Sequence, residues 1–243
     1  MGLRCAYQPM MSVQRARLIG AWHETTLVRS VRKKSVELNY LGARLVIPPR
    51  VFMPTSVSPL LGNAVLEEVQ PSDRVLDVGT GSGVNAILAA SKATDVVGVD
   101  INPSSIACAR QNARRNGVQS CISFLISDLF ENVSGTFDLI IFDPPFRWFK
   151  PRNMEERART DEGYMTLTMF FAKVTERLRP GGRILLFFGT SGDINYVRRL
   201  MARTGLSRRI LASQQISKDE WRFKYFAYKL TKSSKAALSQ NAG

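Results

Sequence analysis

Four consecutive residues, Asp143, Pro144, Pro145 and Phe146, follow the apolar run FDLIIF at residues 137–142, and their types define a chemistry. A proline has no N–H to give to a sheet ladder, so two in succession take the chain out of a central strand at its carboxyl end. Their stiffness fixes the Asp143 carboxylate and the Pro144 carbonyl as paired hydrogen-bond acceptors. A nitrogen bearing two hydrogens can donate to both, while the Phe146 ring stacks on the planar π system that carries it. Such an amide or aromatic amine is a poor nucleophile because its lone pair is delocalised. Two acceptors draw the nitrogen toward sp³ geometry and aim the lone pair at an electrophile. Alignment and stabilisation of positive charge on nitrogen then carry the reaction.

The second constellation is RVLDVGTGSGV at residues 74–84, where Gly79, Gly81 and Gly83 alternate after an apolar run. Glycines tolerate positive φ and leave no Cβ between the backbone and a ligand, so a cofactor belongs at the end of this strand. The dinucleotide fingerprint requires G-x-G-x-x-G. Its third place falls on Val84 when counted from Gly79, and on Ala86 when counted from Gly81. Asp77, two residues ahead of the first glycine, favours a cationic ligand over the pyrophosphate that a helix N-terminus attracts. Downstream, DVVGVD at residues 95–100 reads as a buried strand ending in Asp100, a carboxylate able to accept from both hydroxyls of a ribose.

These residues need a scaffold of parallel strands and covering helices. Asn102 and Pro103 start a helix that Gly117 stops. Ser58 and Pro59 start another, with Leu61, Val65 and Val69 inward. Residues 121–127 form a third strand ending at Asp128, and residues 137–142 a fourth. Tyr164, Leu167, Phe171, Val174 and Leu178 recur at helical spacing as a core stripe ending before Pro180. A fifth strand covers residues 183–188, Ile194, Val197 and Met201 mark a further helix, and residues 208–216 with 221–230 form a terminal antiparallel pair. Leu45, Val46 and Ile47 make a short strand before a proline-broken loop.

The glycine run resembles motif I of the class I S-adenosylmethionine-dependent methyltransferases, and Asp-Pro-Pro-Phe resembles their (Asn/Asp)-Pro-Pro-(Tyr/Phe) signature. That signature occurs in enzymes acting on adenine amino groups, rRNA guanine-N2 groups and protein glutamine amides. The resemblance implies an α/β fold: a doubly wound, seven-stranded, mostly parallel Rossmann-like sheet with a C-terminal antiparallel hairpin. It implies S-adenosyl-L-methionine as cofactor, with Asp77 near its methionine portion, Gly79, Gly81, Gly83 and Asp100 around it, and Asp128 with the Leu129 N–H on the adenine. Catalysis falls to Asp143, Pro144 and Phe146. The loop at residues 49–59 is similar to the one preceding motif I in protein glutamine N5-methyltransferases, which implies that Phe52 and Thr55 lie over cofactor and acceptor. Asp and Phe in the signature, where the glutamine enzymes usually carry Asn and Tyr, look more like the guanine-N2 enzymes.

The chain has 243 residues and a formal net charge of +14, which favours polyanionic partners, RNA first. Arg147 and Trp148 open the basic and aromatic stretch RWFKPRNMEERAR, expected as an exposed loop that contacts the substrate by stacking and by charge, or equally as a mobile lid over the site. Expected partners are RNA or a ribosome-associated protein. A small amine as acceptor, or an RNA-binding scaffold without catalysis, are the rival readings. One histidine, His23, and three cysteines, Cys5, Cys108 and Cys121, argue against a metal site and for reduced thiols. No apolar run long enough to span a bilayer occurs, and the expected location is the cytoplasm. Residues 1–39 read as a basic extension, 40–230 as the methyltransferase domain and 231–243 as a disordered tail.

Overall fold

A computed structural model describes residues 7, 12–26, 34–218 and 220–233, with backbone alone at residues 13, 20, 22–26 and 218. The His23 side chain, Cys5, Arg29, Arg32, Lys33 and residues 234–243 lie outside the described residues, as do the expectations attached to them.

In chain order the elements are α1 (Val13–Thr26), β1 (Val36–Tyr40), β2 (Ala43–Ile47), α2 (Pro59–Glu68), β3 (Arg74–Val78), α3 (Val84–Ala89), β4 (Asp95–Asp100) and α4 (Pro103–Arg115). There follow β5 (Ile122–Ile126), β6 (Phe137–Phe142), α5 (Met154–Arg157), α6 (Met165–Lys173), β7 (Leu178–Gly189), α7 (Ile194–Arg203), β8 (Leu206–Lys218) and β9 (Trp221–Lys232). Seven strands form one sheet in the order β5-β4-β3-β6-β7-β9-β8. The first five are parallel, while β9 runs antiparallel to both β7 and β8. The α/β sheet with a terminal antiparallel hairpin is therefore as expected. Strand order reverses at β3, so the crevice between the carboxyl ends of β3 and β6 is the switch point where doubly wound sheets bind ligands. The glycine turn follows β3 and Asp143 follows β6.

Alternation along the strands sorts the core onto two faces. Leu139 and Ile141 of β6 join the layer under α2, α3 and α4, whereas Phe137, Ile140 and Phe142 join the layer under α6 and α7. The stripe from Tyr164 through Leu167, Phe171 and Val174 to Leu178 is buried in the second layer, but the helix is shorter than expected: α6 ends at Lys173, Val174 lies in a 3-10 turn, and Leu178 already opens β7, ahead of the expected strand start at residue 183.

Several boundaries move. Val36, Leu38 and Tyr40 alternate with polar residues and pair with β2 across a turn in which Leu41 and Gly42 both have positive φ, the geometry of a tight hairpin. This strand falls inside what the sequence read as a basic extension. α4 braces the hairpin, since Asn112 Oδ1 accepts the Val46 N–H at 2.9 Å and Asn116 Oδ1 accepts the Arg44 N–H at 2.9 Å. At the other end, Thr231 pairs with Arg183 and Ser207, so β9 outlasts the expected strand end at residue 230. Ser58 does not cap α2 with its side chain; its hydroxyl accepts the Thr55 N–H at 2.9 Å and shapes the loop ahead of the helix. Asn102 does cap α4, accepting the Ser104 N–H at 3.0 Å.

Candidate active site

The turn after β3 divides its glycines between two tasks. Gly79, Gly81 and Gly83 have φ of 70°, 54° and 84°, each in the left-handed region. A Cβ on Gly79 would meet nothing within 4 Å, and one on Gly81 only a backbone oxygen at 3.9 Å, so both present bare backbone to the cavity. On Gly83 a Cβ would lie 2.9 Å from Ala109 of α4. Gly83 is thus a packing residue and does not line the cavity. Gly83→Ala, strained by φ and by contact, is expected to destabilise the protein by about 1–3 kcal/mol, measured by denaturant unfolding.

Asp77 likewise stands behind the turn. It is 1% exposed and absent from the cavity wall, and its Oδ2 accepts from Thr80 Oγ1 at 2.6 Å and the Ala86 N–H at 3.2 Å. It holds the turn against the first turn of α3 and adds negative charge beneath it. Burial pushes its carboxyl up to about 7, against the lowering effect of those two hydrogen bonds. Asp100 does line the cavity. Its carboxylate accepts the Gly81 N–H at 2.9 Å and the Asn102 N–H at 2.8 Å, and burial raises it above the ordinary carboxylate range. Asp128 and Leu129, after β5, complete this side, Leu129 with a φ of 48°.

Across the crevice, Asp143, Pro144 and Phe146 line the same cavity of about 750 Å³. Neither the Asp143 carboxylate nor the Pro144 carbonyl accepts a hydrogen bond among the described residues. Burial, then the charge of Asp77, pushes the Asp143 carboxyl up to about 7. Phe146 packs on Phe188 at 4.5 Å and Phe187 at 5.6 Å between ring centroids, with Tyr225 beyond at 6.2 Å. Its carbonyl accepts from the Tyr164 hydroxyl at 2.6 Å, which itself accepts the Asp193 N–H at 2.9 Å. Phe52 and Thr55 face the cavity from the loop before α2, and Arg147 from the strap after Phe146.

Trp148 is the exception. It is 8% exposed and packs edge-on to Tyr7 and against Tyr164 in the second core layer, because the Arg147 and Asp161 backbones bond each other and turn the strap inward. Of the two aromatics in that stretch, only the half-buried Phe149 lines the cavity. Sequence reasoning also missed residues that support the site. Tyr164 was read only as the first residue of a core stripe. Tyr225 lies in an alternating strand pattern, and Asn112, which ties the Ser82 carbonyl to the hairpin, is a polar residue within a helix whose buried face gives no signal. Arg17 of α1 lines the cavity from a segment that carried no motif.

The raised carboxyls give a signed pH dependence. In the unfolded chain Asp143 loses its proton near pH 4, but in the folded chain near 7. Its share of stability is therefore complete below pH 4 and is lost as pH rises through about 7. Relative to the native chain, Asp143→Asn should gain stability between about pH 4 and 7 and change no further above that, as denaturant titrations at several pH values would show.

Comparison with known proteins follows the same geometry. The profile of the methyltransferase small domain matches residues 56–204. A protein of Methanocaldococcus jannaschii named for protein N5-glutamine methyltransferase activity is 34% identical over 183 residues, 70% of this chain and 89% of that one. The release factor glutamine methyltransferase of Haemophilus influenzae is 32% identical over 144 residues, 51% of this chain and 49% of that one, so this chain spans about half the length of that relative. Among solved structures, the tRNA m1G37 methyltransferase of Methanocaldococcus jannaschii superposes with a TM-score of 0.62 at 17% identity, covering 84% of this chain and 59% of that one. At that identity the likeness is one of fold. The profile spans most of the sheet and both halves of the crevice, and by this match the chain belongs to the methyltransferase small-domain family.

Proposed function

We propose that the chain transfers a methyl group from S-adenosylmethionine to the side-chain amide nitrogen of a protein glutamine. The observation that carries this reading is the pair of unengaged acceptors, the Asp143 carboxylate and the Pro144 carbonyl, beside Phe146 in the switch-point cavity. The other wall fits the cofactor. Gly79 and Gly81 leave room for its backbone-proximal part, Asp100 retains acceptor capacity for a ribose beyond its two backbone partners and the Ser105 hydroxyl, and acidic groups without cationic partners suit a sulfonium. When bound, the cofactor supplies a methyl group already activated for in-line displacement.

The chain's own residues do the rest. Asp143 and Pro144 hold the two amide hydrogens and turn the lone pair toward the methyl carbon. Phe146, backed by Phe187, Phe188 and Tyr225, clamps the amide plane. The nitrogen enters with two hydrogens and leaves with one, and Asp143, titrating near 7, is placed to take the proton that is lost. Glutamine is favoured because the sequence relatives at 32–34% identity carry that activity in their names. An RNA amino group is the second reading, favoured by the Asp and Phe of the signature and by the net charge of +14.

Two measurements test this. A peptide with a single glutamine should take label from methyl-labelled cofactor, with tandem mass spectrometry placing it on the side-chain nitrogen, and the alanine analogue should take none. Cofactor affinity by calorimetry should rise with pH through about 7 and then level off, because Asp77 must ionise to attract the sulfonium. A pH-independent affinity would remove Asp77 from cofactor binding.

A further inference from the structure

The cavity is acidic at its floor, with Asp100, Asp128 and Asp143, and basic at its mouth. Arg17 from α1, Arg50 from the loop before α2, and Lys150, Arg157 and Arg159 from the strap all line it. None of these five side chains makes an ion pair or hydrogen bond among the described residues. Of the carboxylates at that end, Glu156 is engaged by Arg152 at 2.9 Å, buried Asp161 is engaged by the Thr166 and Leu167 N–H groups of α6, and Glu162 is exposed. Five cations converge on one opening; Arg157 and Arg159 feel the charges of Asp161 and Glu156 without pairing with them, and the cations outnumber the carboxylates at that end, which fits anionic groups on whatever enters.

We infer that this rim reads acidic residues flanking the target glutamine, so that the preferred acceptor is a glutamine set among aspartates or glutamates. The inference rests on the glutamine reading above. The rim chemistry suits a peptide better than a nucleic acid. Single-stranded nucleic acids are held by exposed aromatic platforms as well as charge, whereas Trp148 is buried and Phe149, which lines the cavity, is half-buried against it. The apolar groups exposed at the mouth are instead Met154 and Met165, 41% and 63% exposed, flexible side chains of the kind that adapt to peptides. Arginine and methionine are also enriched where proteins meet. Four of the five cations are arginines, whose planar forks match carboxylates in bidentate fashion.

The test uses the full chain, methyl-labelled S-adenosylmethionine and three peptides with one central glutamine, flanked by Asp and Glu, by Ser, or by Lys. The acid-flanked peptide should exceed the serine-flanked one at least tenfold in kcat/KM at low salt, and the gap should shrink as salt rises. The double variant Arg157→Glu/Arg159→Glu should reverse the order toward the lysine-flanked peptide, with folding checked by its thermal midpoint. Equal kcat/KM for all three peptides would overturn the rim inference and leave the glutamine reading standing. An acid-flanked peptide with alanine for glutamine separates the two ideas. If it competes in a salt- and Arg157-dependent way while no glutamine is methylated, the rim holds and the acceptor reading falls. Label passing to RNA and to none of the peptides, with no competition by the acidic peptide, would overturn both.

Discussion

Asp143→Ala is expected to lower kcat by about 10²–10⁴-fold, the range seen when a positioned acceptor or donor of transition-state charge is lost, while cofactor affinity changes by less than about threefold. The asymmetry follows from placement. Asp143 has no hydrogen-bond partner among the described residues and faces the acceptor side beside Phe146. Gly79, Gly81, Asp100 and Asp128, to which the proposed reading gives the cofactor, line the cavity separately from it. A group acting only in the transition state reduces kcat and kcat/KM alike. Asp143→Asn retains one carbonyl acceptor but not the proton affinity, so it should fall between the native enzyme and the alanine variant. Single-turnover transfer alongside calorimetry separates the terms. Loss of cofactor binding together with turnover in a folded Asp143→Ala protein would move Asp143 to the cofactor.

The second large effect is at Asp100. Its carboxylate accepts the Gly81 and Asn102 N–H groups at 2.9 and 2.8 Å, so it shapes the glycine turn, and the proposed reading gives it the ribose as well. Charge-assisted hydrogen bonds contribute roughly 1.5–3 kcal/mol each, and Asp100→Ala should weaken S-adenosylmethionine at least tenfold. Asp100→Asn would keep part of the shaping role. An unchanged affinity in the alanine variant would take Asp100 out of the site, and tight binding of NAD in place of the sulfonium would contradict the cofactor reading.

How much of this was legible in the chain depended on the kind of signal each residue carried. The glycine turn, Asp100 and Asp143-Pro144-Pro145-Phe146 were legible because strand, acid and turn succeed one another within a few residues, and the sheet then brings two such ends together by topology alone. Division of labour inside the turn was not. That Gly83 abuts Ala109 and that Asp77 bonds Thr80 and Ala86 are consequences of how α4 and α3 pack, invisible in a run of alternating glycines. Trp148 misled for a similar reason. An aromatic among arginines reads as a surface stacker, but Tyr7 and Tyr164 pack against it, with Tyr196 packed on Tyr7 and Tyr164 behind them. β1 was hidden because its alternation is five residues long and sits next to a basic stretch.

The central claim is that a protein amide receives the methyl group, and fractionation tests it most directly. Protein, RNA and small-molecule fractions of a cell extract are incubated separately with the enzyme and methyl-labelled S-adenosylmethionine, with Asp143→Ala as control. Label is expected in the protein fraction, recovered as N5-methylglutamine after enzymatic digestion and absent with the variant. Label recovered instead on an RNA base or a small amine, in an Asp143-dependent way, would contradict it.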